Sequence, residues 1–243
     1  MDKPLVIITG ATGNLGRSVA AVLSADYRIV GLDLKAEALT FPVIKVDLAS
    51  DQSVLDALAQ IRASHGGRVA SVIHLAAYFD FTGKERPLYR SVNVEGTRRL
   101  LRALQNFEVE QFVYSSTMLV HAPCAPGEQI DESWPIDPRW AYPKSKALAE
   151  EVIREEHGSI PYAILRFAGV YDEESAVPTL SNQIARIYER EFESFFYSGS
   201  PLVGQSMVHR EDLVEAVRLA VQRRDTLPPD AEILIGEPEA LGY

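Results

Sequence analysis

Short, continuously apolar runs alternate with longer amphipathic stretches along most of this chain. The apolar runs, which we predict to be strands, are Leu5–Thr9, Arg28–Leu32, Val43–Val46, Ser71–Leu75, Gln111–Tyr114, Ala163–Phe167 and Glu232–Ile235. The amphipathic stretches, predicted to be helices, are Asn14–Ser24, Ser53–Ser64, Leu88–Asn106, Tyr142–His157, Val177–Arg190 and Glu211–Gln222. Strands that are apolar on both faces are typical of parallel sheets covered by helices. The alternation therefore predicts an α/β fold with a doubly wound parallel sheet.

Charge and cysteine content exclude several classes of function. The formal net charge of −10 argues against nucleic acid or an acidic membrane as a partner. The single cysteine, Cys124, excludes an intrachain disulfide, and no His, Asp or Glu cluster has metal-ligand spacing, so we predict no metal. The first residues lack a signal-peptide pattern and no apolar run is long enough to cross a bilayer, so we expect a cytoplasmic location without membrane association.

The first predicted strand leads directly into a glycine-rich turn. Its glycines, Gly10, Gly13 and Gly16, have the spacing G-x-x-G-x-x-G. Such a turn brings the backbone close to a pyrophosphate and directs the amides at a helix start towards it. An ordinary strand–helix turn explains the glycines alone equally well. We predict that the dinucleotide contacts of this turn come from Gly10, Thr12, Gly13, Asn14, Leu15 and Gly16.

An acidic residue follows the second predicted strand. Asp33, which Leu34 follows, lies about 20 residues after the glycines, where a carboxylate accepts hydrogen bonds from the adenosine ribose. It would repel a 2′-phosphate, so the sequence favours NAD over NADP, although nearby Lys35 keeps NADP as a less favoured cofactor. A solvated loop acid is the alternative. Asp47 and Leu48 are weaker candidates for contact with the adenine, because Asp commonly opens a turn.

Tyr142 and Lys146 are four residues apart in a predicted helix and so share one face. A lysine cation beside a phenol lowers the pKa of that phenol. The tyrosine can then exchange a proton with a substrate hydroxyl or carbonyl while hydride moves to or from a nicotinamide. The hydroxyl of Ser116 or Thr117 could anchor the substrate oxygen, with a strand-end cap as the alternative.

These features together resemble the extended short-chain dehydrogenase/reductase family, in its NAD-dependent epimerase/dehydratase branch. The likeness covers nearly the whole chain, and the matching segments occur in family order. They are Thr9–Gly16, Asp33, Asp47-Leu48, His74–Ala77, Asn93–Thr97, Tyr114–Thr117, Tyr142–Lys146, Leu165–Tyr171 and Val208–Asp212.

The resemblance implies a Rossmann-type sheet in a dinucleotide-binding domain, residues 1–170, followed by a small substrate-shaping lobe. We assign that lobe to residues 171–243, with a late strand and helix that return to the sheet. The resemblance further implies a homodimer. It adds to the cofactor site Leu75, Ala76, Ala77, Asn93, Ser115, Tyr142 and Lys146. It makes Thr117, Tyr142 and Lys146 the catalytic residues, with Tyr142 as general acid/base.

Three departures from the family pattern bear on the substrate. Gly169 stands where nucleotide-sugar members usually carry Asn, and the segment from Gln205 to His209 lacks an arginine that many of them have. The loop Tyr78–Phe81 is aromatic and resembles relatives that act on less polar hydroxyl compounds, although core packing is another interpretation.

Three hypotheses of function follow. The first is an epimerase or dehydratase with tightly held NAD, acting for example on a nucleotide sugar. The second is a simple dehydrogenase/reductase that acts on a less polar hydroxyl or carbonyl compound, and the departures favour it. The third is a catalytically silent NAD(P)-sensing regulator on the same fold, which the presence of both Tyr142 and Lys146 makes the least favoured.

Overall fold

A parallel sheet flanked by helices forms the centre of the molecule. The computed structural model describes residues 3–37, 39–80, 84–125, 127–173, 178–190, 204–238 and 241–242. In chain order the strands are β1 (Leu5–Thr9), β2 (Arg28–Asp33), β3 (Val43–Lys45), β4 (Arg68–Val69), β5 (Ser71–His74), β6 (Glu108–Val109), β7 (Phe112–Thr117), β8 (Tyr162–Phe167), β9 (Gly169–Tyr171), β10 (Gly204–Gln205), β11 (Met207–His209), β12 (Asp230–Ile235) and β13 (Leu241–Gly242). The helices are α1 (Asn14–Leu23), α2 (Asp51–His65), α3 (Glu95–Leu104), α4 (Ala141–Glu156), α5 (Pro178–Tyr188) and α6 (Arg210–Gln222), with a π-helix over Tyr89–Val94 and a 3-10 turn over Met118–Val120.

The order of strands in the main sheet is β12, β8, β7, β5, β1, β2, β3, and all neighbours are parallel. The chain moves outward from β1 through β2 to β3, then crosses back and continues in the other direction from β5. A crevice therefore opens between the carboxyl ends of β1 and β5, where such sheets bind ligands. This arrangement confirms the predicted Rossmann-type doubly wound sheet.

Each face of the sheet is covered by its own apolar core. In β1, Leu5 and Ile7 belong to the core under α2, α3 and α4, whereas Val6 and Ile8 belong to the core under α1 and α6. Burial on both faces explains why the strands are apolar without alternation. No helix in the described part of the chain has the length and apolar character to cross a bilayer.

The late elements of the chain return to the main sheet. β12 pairs with β8 along its full length, and Val217 of α6 lies in the same core as Val19 of α1. Two small sheets lie outside the main sheet. In one, β9 pairs with β11, and both strands precede α6. In the other, β10 precedes α6 and pairs with β13, which follows it. The division of the chain near residue 170 stays a prediction.

One predicted helix is not a continuous α-helix. The pattern predicts Leu88–Asn106, but the π-helix occupies Tyr89–Val94 and α3 only Glu95–Leu104. Apolar spacing does not distinguish a π-turn from an α-turn, and π-turns are frequent at functional sites.

Six short strands were not predicted, because each has only two or three residues: β4, β6, β9, β10, β11 and β13. Val177, the predicted start of α5, lies outside the described residues.

A buried ion pair fastens α4 to the sheet. The guanidinium of Arg166 in β8 donates to both carboxylate oxygens of Glu150 in α4, at 3.1 and 2.8 Å, and both side chains are 1% exposed. Glu232 of β12 accepts from Arg166 at 2.5 Å, and Ser116 of β7 donates to Glu150 at 2.5 Å. Burial alone would raise the pKa of Glu150, but the hydrogen bonds and charge of Arg166 outweigh it and hold that pKa low.

Removal of Glu150 should destabilise the fold strongly. Glu150→Ala leaves the Arg166 cation buried with one partner fewer, and we expect the free energy of unfolding to fall by about 3–5 kcal/mol. The matched control is Asp137→Ala, which removes an exposed ion pair with Arg139 and should cost less than about 1 kcal/mol. Urea unfolding measures the free energy of unfolding of both variants. An equally small decrease in the two variants would contradict the structural role given to Glu150.

Candidate active site

Two glycines are required by the packing of the turn after β1. Gly10 has a φ of 71°, and a Cβ on it would lie 2.9 Å from the backbone nitrogen of Ala76. A Cβ on Gly16 would lie 2.2 Å from the carbonyl oxygen of Gly10. Any larger residue at these positions would therefore force the turn apart, as the tight-turn interpretation predicts.

The third glycine is not required by the fold. A Cβ on Gly13 would meet nothing closer than the Gly10 oxygen at 3.4 Å, an ordinary contact. Gly13 is the N-cap of α1, and that helix start has neither a side-chain cap nor an acidic residue in its first turn. Thr12, Asn14 and Leu15 lie at least partly exposed beside it. The uncapped amides and the missing Cβ suit a phosphate group approaching the backbone.

Asp33 lies at the end of β2 against the glycine turn. Its Oδ2 accepts the backbone N–H of Thr12 at 3.0 Å, and its Oδ1 accepts that of Lys35 at 3.2 Å. The partly buried carboxylate is therefore held in place rather than freely solvated. Each oxygen keeps a second acceptor site, which suits a pair of ribose hydroxyls. Leu34 beside it is exposed.

The segment after β3 has the geometry of a turn. Asp47 is exposed, and its Oδ1 accepts the backbone N–H of Ala49 at 2.9 Å. Leu48 is 5% exposed and packs in the core. The turn interpretation of Asp47 thus has direct support, and the contact of Asp47 and Leu48 with an adenine stays a prediction.

A chain of buried hydrogen bonds crosses from the glycine turn to the π-helix. Thr9 Oγ1 accepts from the Ala76 N–H at 3.1 Å and contacts His74 Nδ1 at 2.6 Å. His74 Nε2 lies 3.0 Å from Thr97 Oγ1, which donates to the Asn93 carbonyl at 2.6 Å. The Thr97 bond assigns the His74 proton to Nε2, and burial lowers the pKa of His74 to about 3, so the ring is neutral. His74 is structural, as its position in a strand predicts.

Asn93 continues this chain to α4. Its side-chain amide accepts from the Tyr78 N–H at 2.6 Å and donates to the Tyr78 carbonyl at 3.0 Å. It also donates to the Ser145 hydroxyl at 2.9 Å, which in turn donates to the Tyr142 carbonyl at 2.7 Å. Asn93 therefore joins the segment Leu75–Ala77, through the adjacent Tyr78, to the start of α4.

Lys146 lies buried below Tyr142. It is 2% exposed, and its Nζ donates to the carbonyl oxygen of Ser115 at 2.5 Å. The ammonium nitrogen lies 4.6 Å from the ring centroid of Tyr114 and 5.9 Å from that of Tyr142. The fold thus brings Tyr142, Lys146 and Ser115 together at the carboxyl end of β7.

The pKa of Tyr142 is raised rather than lowered, contrary to the net change expected from a neighbouring lysine. Burial raises the pKa of Tyr142, and the nearby Tyr89 adds to the rise. Burial also lowers the pKa of Lys146 to about 7, although Glu150 opposes this change. Both groups are desolvated, so the charged form of each is disfavoured. At neutral pH Tyr142 therefore keeps its proton, and Lys146 is only partly protonated.

Ser116 and Thr117 have different partners. The Ser116 hydroxyl is committed to Glu150, whereas Thr117 Oγ1 accepts the backbone N–H of Leu119 at 3.3 Å. The structure therefore leaves Thr117 as the candidate to hold a substrate oxygen, although its bond to Leu119 also fits the strand-end cap. Within the described residues, no group of three His, Cys, Asp or Glu side chains is placed to hold a metal ion.

Aromatic side chains frame Tyr142. The ring centroid of Phe79 lies 4.5 Å from that of Tyr142 in an edge contact, and that of Trp140 lies 5.7 Å away. Phe79 is 42% exposed, so core packing does not explain it. Phe81, the third aromatic residue of the loop after Tyr78 and Phe79, lies outside the described residues. Sequence reasoning missed Trp140, although it lies only two positions before Tyr142.

The volume beside Gly169 is already filled. A Cβ on Gly169 would lie 2.8 Å from Met207 Sδ and 3.0 Å from Gln205 Nε2. A larger residue such as Asn would require both side chains to move. Gly169, Gln205 and Met207 thus fit one another, and all three belong to the positions or segments that depart from the nucleotide-sugar pattern.

The burial of Lys146 should make stability depend on pH. Between about pH 7 and 10.5 the folded chain binds fewer protons at Lys146 than the unfolded chain, so the free energy of unfolding rises with pH there. Lys146→Met should remove this contribution, at most about 1.4 kcal/mol per pH unit. The control is Lys144→Met, exposed on the same helix. The free energy of unfolding is measured by urea at several pH values. If it varies with pH in the same way in wild type and in Lys146→Met, the lowered pKa of Lys146 is contradicted.

Comparisons with curated proteins extend over most of this chain. N-acetyl-α-D-glucosaminyl-diphospho-ditrans,octacis-undecaprenol 4-epimerase of Escherichia coli O157:H7 is 29% identical over 220 residues, which cover 88% of this chain and 62% of that protein. Human short-chain dehydrogenase/reductase family 42E member 1 is 29% identical, with 90% and 58% covered. Rat 3 beta-hydroxysteroid dehydrogenase type 7 is 32% identical, with 67% and 51% covered. The chain thus spans about three fifths or less of the length of these relatives.

Solved structures share the fold. UDP-glucose 4-epimerase of Thermus thermophilus, in complex with NAD, superposes with a TM-score of 0.75 at 25% identity, covering 97% of this chain and 78% of that one. A short-chain dehydrogenase/reductase superfamily protein from Agrobacterium tumefaciens with bound NAD gives a TM-score of 0.76 at 24% identity, with 98% and 79% covered. Residues 6–236 match the family model itself, so this chain belongs to the NAD dependent epimerase/dehydratase family.

Proposed function

We propose that this chain carries the cofactor site and the acid/base residue of an NAD-dependent dehydrogenase/reductase that acts on a less polar hydroxyl or carbonyl compound. The observation that carries the proposal is the position of Tyr142, which shares α4 with buried Lys146 and contacts both Phe79 and Trp140. The family is NAD-dependent, and solved relatives contain NAD. The homodimer and the cytoplasmic location stay predictions.

The cofactor site extends along the crevice between β1 and β5. The amides at the start of α1, beginning with Asn14, would receive the pyrophosphate, and the Asp33 carboxylate would accept the adenosine ribose hydroxyls. Lys146 and Ser115, at the end of β7, would face the nicotinamide half. The charge distribution is suitable, because a helix N-terminus meets the phosphates and an acid meets neutral hydroxyls.

Proton transfer is the role proposed for Tyr142. NAD, when bound, supplies or accepts the hydride. Because burial raises the pKa of Tyr142, its phenol is protonated at neutral pH and can donate to a carbonyl oxygen held by Thr117. In the opposite direction the phenol must lose its proton, and a protonated Lys146 beside it would stabilise the phenolate.

The surroundings of Tyr142 support a less polar substrate. Phe79 and Trp140 present aromatic surface beside the phenol, and Met207 and Gln205 fill the volume beside Gly169, where nucleotide-sugar members usually carry Asn. The rat 3 beta-hydroxysteroid dehydrogenase type 7 is a relative whose name states a substrate of this class. Other relatives are named as nucleotide-sugar epimerases, so a UDP-sugar is the second candidate.

Two candidate substrates and the variant Tyr142→Phe test the proposal together. A 3β-hydroxysteroid and UDP-glucose are offered with NAD⁺, and NADH fluorescence together with product analysis reports turnover. Tyr142→Phe should bind NAD⁺ within about twofold of wild type and lose at least about 10²-fold in turnover. Tyr27→Phe, at the opposite end of the sheet, is the control. Wild-type binding of NAD⁺ without turnover of either substrate would favour the silent regulator, and unchanged turnover of Tyr142→Phe would place the proton donor elsewhere.

Two glycine variants separate cofactor binding from folding. Gly13→Ala should keep the free energy of unfolding within about 1 kcal/mol of wild type, because its Cβ has room, yet weaken NAD⁺ binding about tenfold or more. Gly16→Ala should instead destabilise the fold, because its Cβ would overlap the Gly10 oxygen. Calorimetric titration and thermal unfolding measure the two effects. Normal NAD⁺ binding by a folded Gly13→Ala variant would refute the proposed pyrophosphate position.

A further inference from the structure

Two oppositely charged side chains bind the same residue of the glycine turn. The backbone N–H of Thr12 donates to Asp33, and the carbonyl oxygen of Thr12 accepts from Arg17 Nε at 2.7 Å. Arg17 is therefore a cation close to the carboxylate that we propose for the adenosine ribose. In related sheets a nearby arginine accommodates the 2′-phosphate of NADP.

Arg17 already has an acidic partner. Its terminal nitrogen is paired with the carboxylate of Glu37, which lies in the segment after β2. The two side chains are 46% and 43% exposed, so the pair lies at the protein surface, where a ligand can reach it. Glu37 both neutralises the Arg17 charge and occupies part of its hydrogen-bonding capacity.

Between α1 and the segment after β2, two acids lie with two bases. Asp33 and Glu37 are the acids, and Arg17 and Lys35 are the bases, all within or beside the glycine turn and the end of β2. A 2′-phosphate carries up to two negative charges and would meet this neutral set without an uncommitted guanidinium. A 2′-hydroxyl needs only the acceptor oxygens of Asp33.

We propose that Glu37 is a second determinant of cofactor choice, which disfavours NADP by holding Arg17 in an ion pair. The inference rests on the proposed position of the adenosine ribose at Asp33. It differs from the role of Asp33 itself, because Asp33 repels the phosphate directly, whereas Glu37 withdraws the cation that would bind it.

The test measures dissociation constants of NAD⁺ and NADP⁺ by titration calorimetry on the purified chain, without any substrate. Glu37→Gln should bind NADP⁺ about tenfold more tightly than wild type, and NAD⁺ within about twofold. The double variant Glu37→Gln with Arg17→Gln should lose this gain, because the released guanidinium is its cause. Glu215→Gln, which breaks an exposed ion pair with Arg218 on α6, is the matched control and should change neither constant.

The outcomes separate this inference from its premise. Asp33→Ala should weaken the binding of NAD⁺ more than the binding of NADP⁺. An equal loss of affinity for the two cofactors, or no NAD⁺ binding by wild type, would refute the proposed ribose position. If Asp33→Ala behaves as expected but Glu37→Gln leaves NADP⁺ binding unchanged, the role of Glu37 is refuted alone. Tighter NADP⁺ binding that persists in the double variant would also overturn the role of Glu37. The gain would then come from the change in net charge and not from release of the Arg17 side chain.

Discussion

The buried ion pair between Glu150 and Arg166 determines where α4 lies, and the candidate site depends on α4. Its partners Ser116 and Glu232 come from β7 and β12, so three strands of the sheet hold one helix. In a medium of low polarity, charges that are paired and hydrogen-bonded accept few alternative arrangements. Lys146 and Tyr142, one and two turns earlier on the same helix, are positioned as a consequence.

A second network joins α4 to the cofactor crevice. It passes from Thr9 through His74 and Thr97 to Asn93, and from there to Ser145 at the start of α4. The glycine turn and the candidate acid/base residue are thus connected by satisfied buried hydrogen bonds rather than by apolar contacts alone. Such a network resists small displacements, which suits a site where hydride and proton transfer need fixed geometry.

Burial and charge act differently at the two ends of the crevice. At the proposed nicotinamide end, burial favours the neutral form of both Lys146 and Tyr142. At the proposed adenosine end, Arg17 and Glu37 form an ion pair at the surface, and the partly buried Asp33 carboxylate accepts two backbone N–H groups. The proposed proton transfer therefore falls where burial favours neutral side chains, and the proposed discrimination between cofactors falls where charges are exposed.

The sequence by itself determined the class of fold and the positions of the glycine turn, Asp33, Tyr142 and Lys146, because these depend on local periodicity and spacing. The tertiary structure decided which hydroxyl is committed to α4, since Ser116 meets Glu150 across 34 residues of chain. It also reversed the expected pKa change of Tyr142, because desolvation depends on what packs around a side chain. The ion pairs of Arg166 and the partner of Arg17 were likewise invisible to periodicity, because each depends on a contact between segments that are distant in sequence. The π-helix was missed because apolar spacing does not distinguish a π-turn from an α-turn.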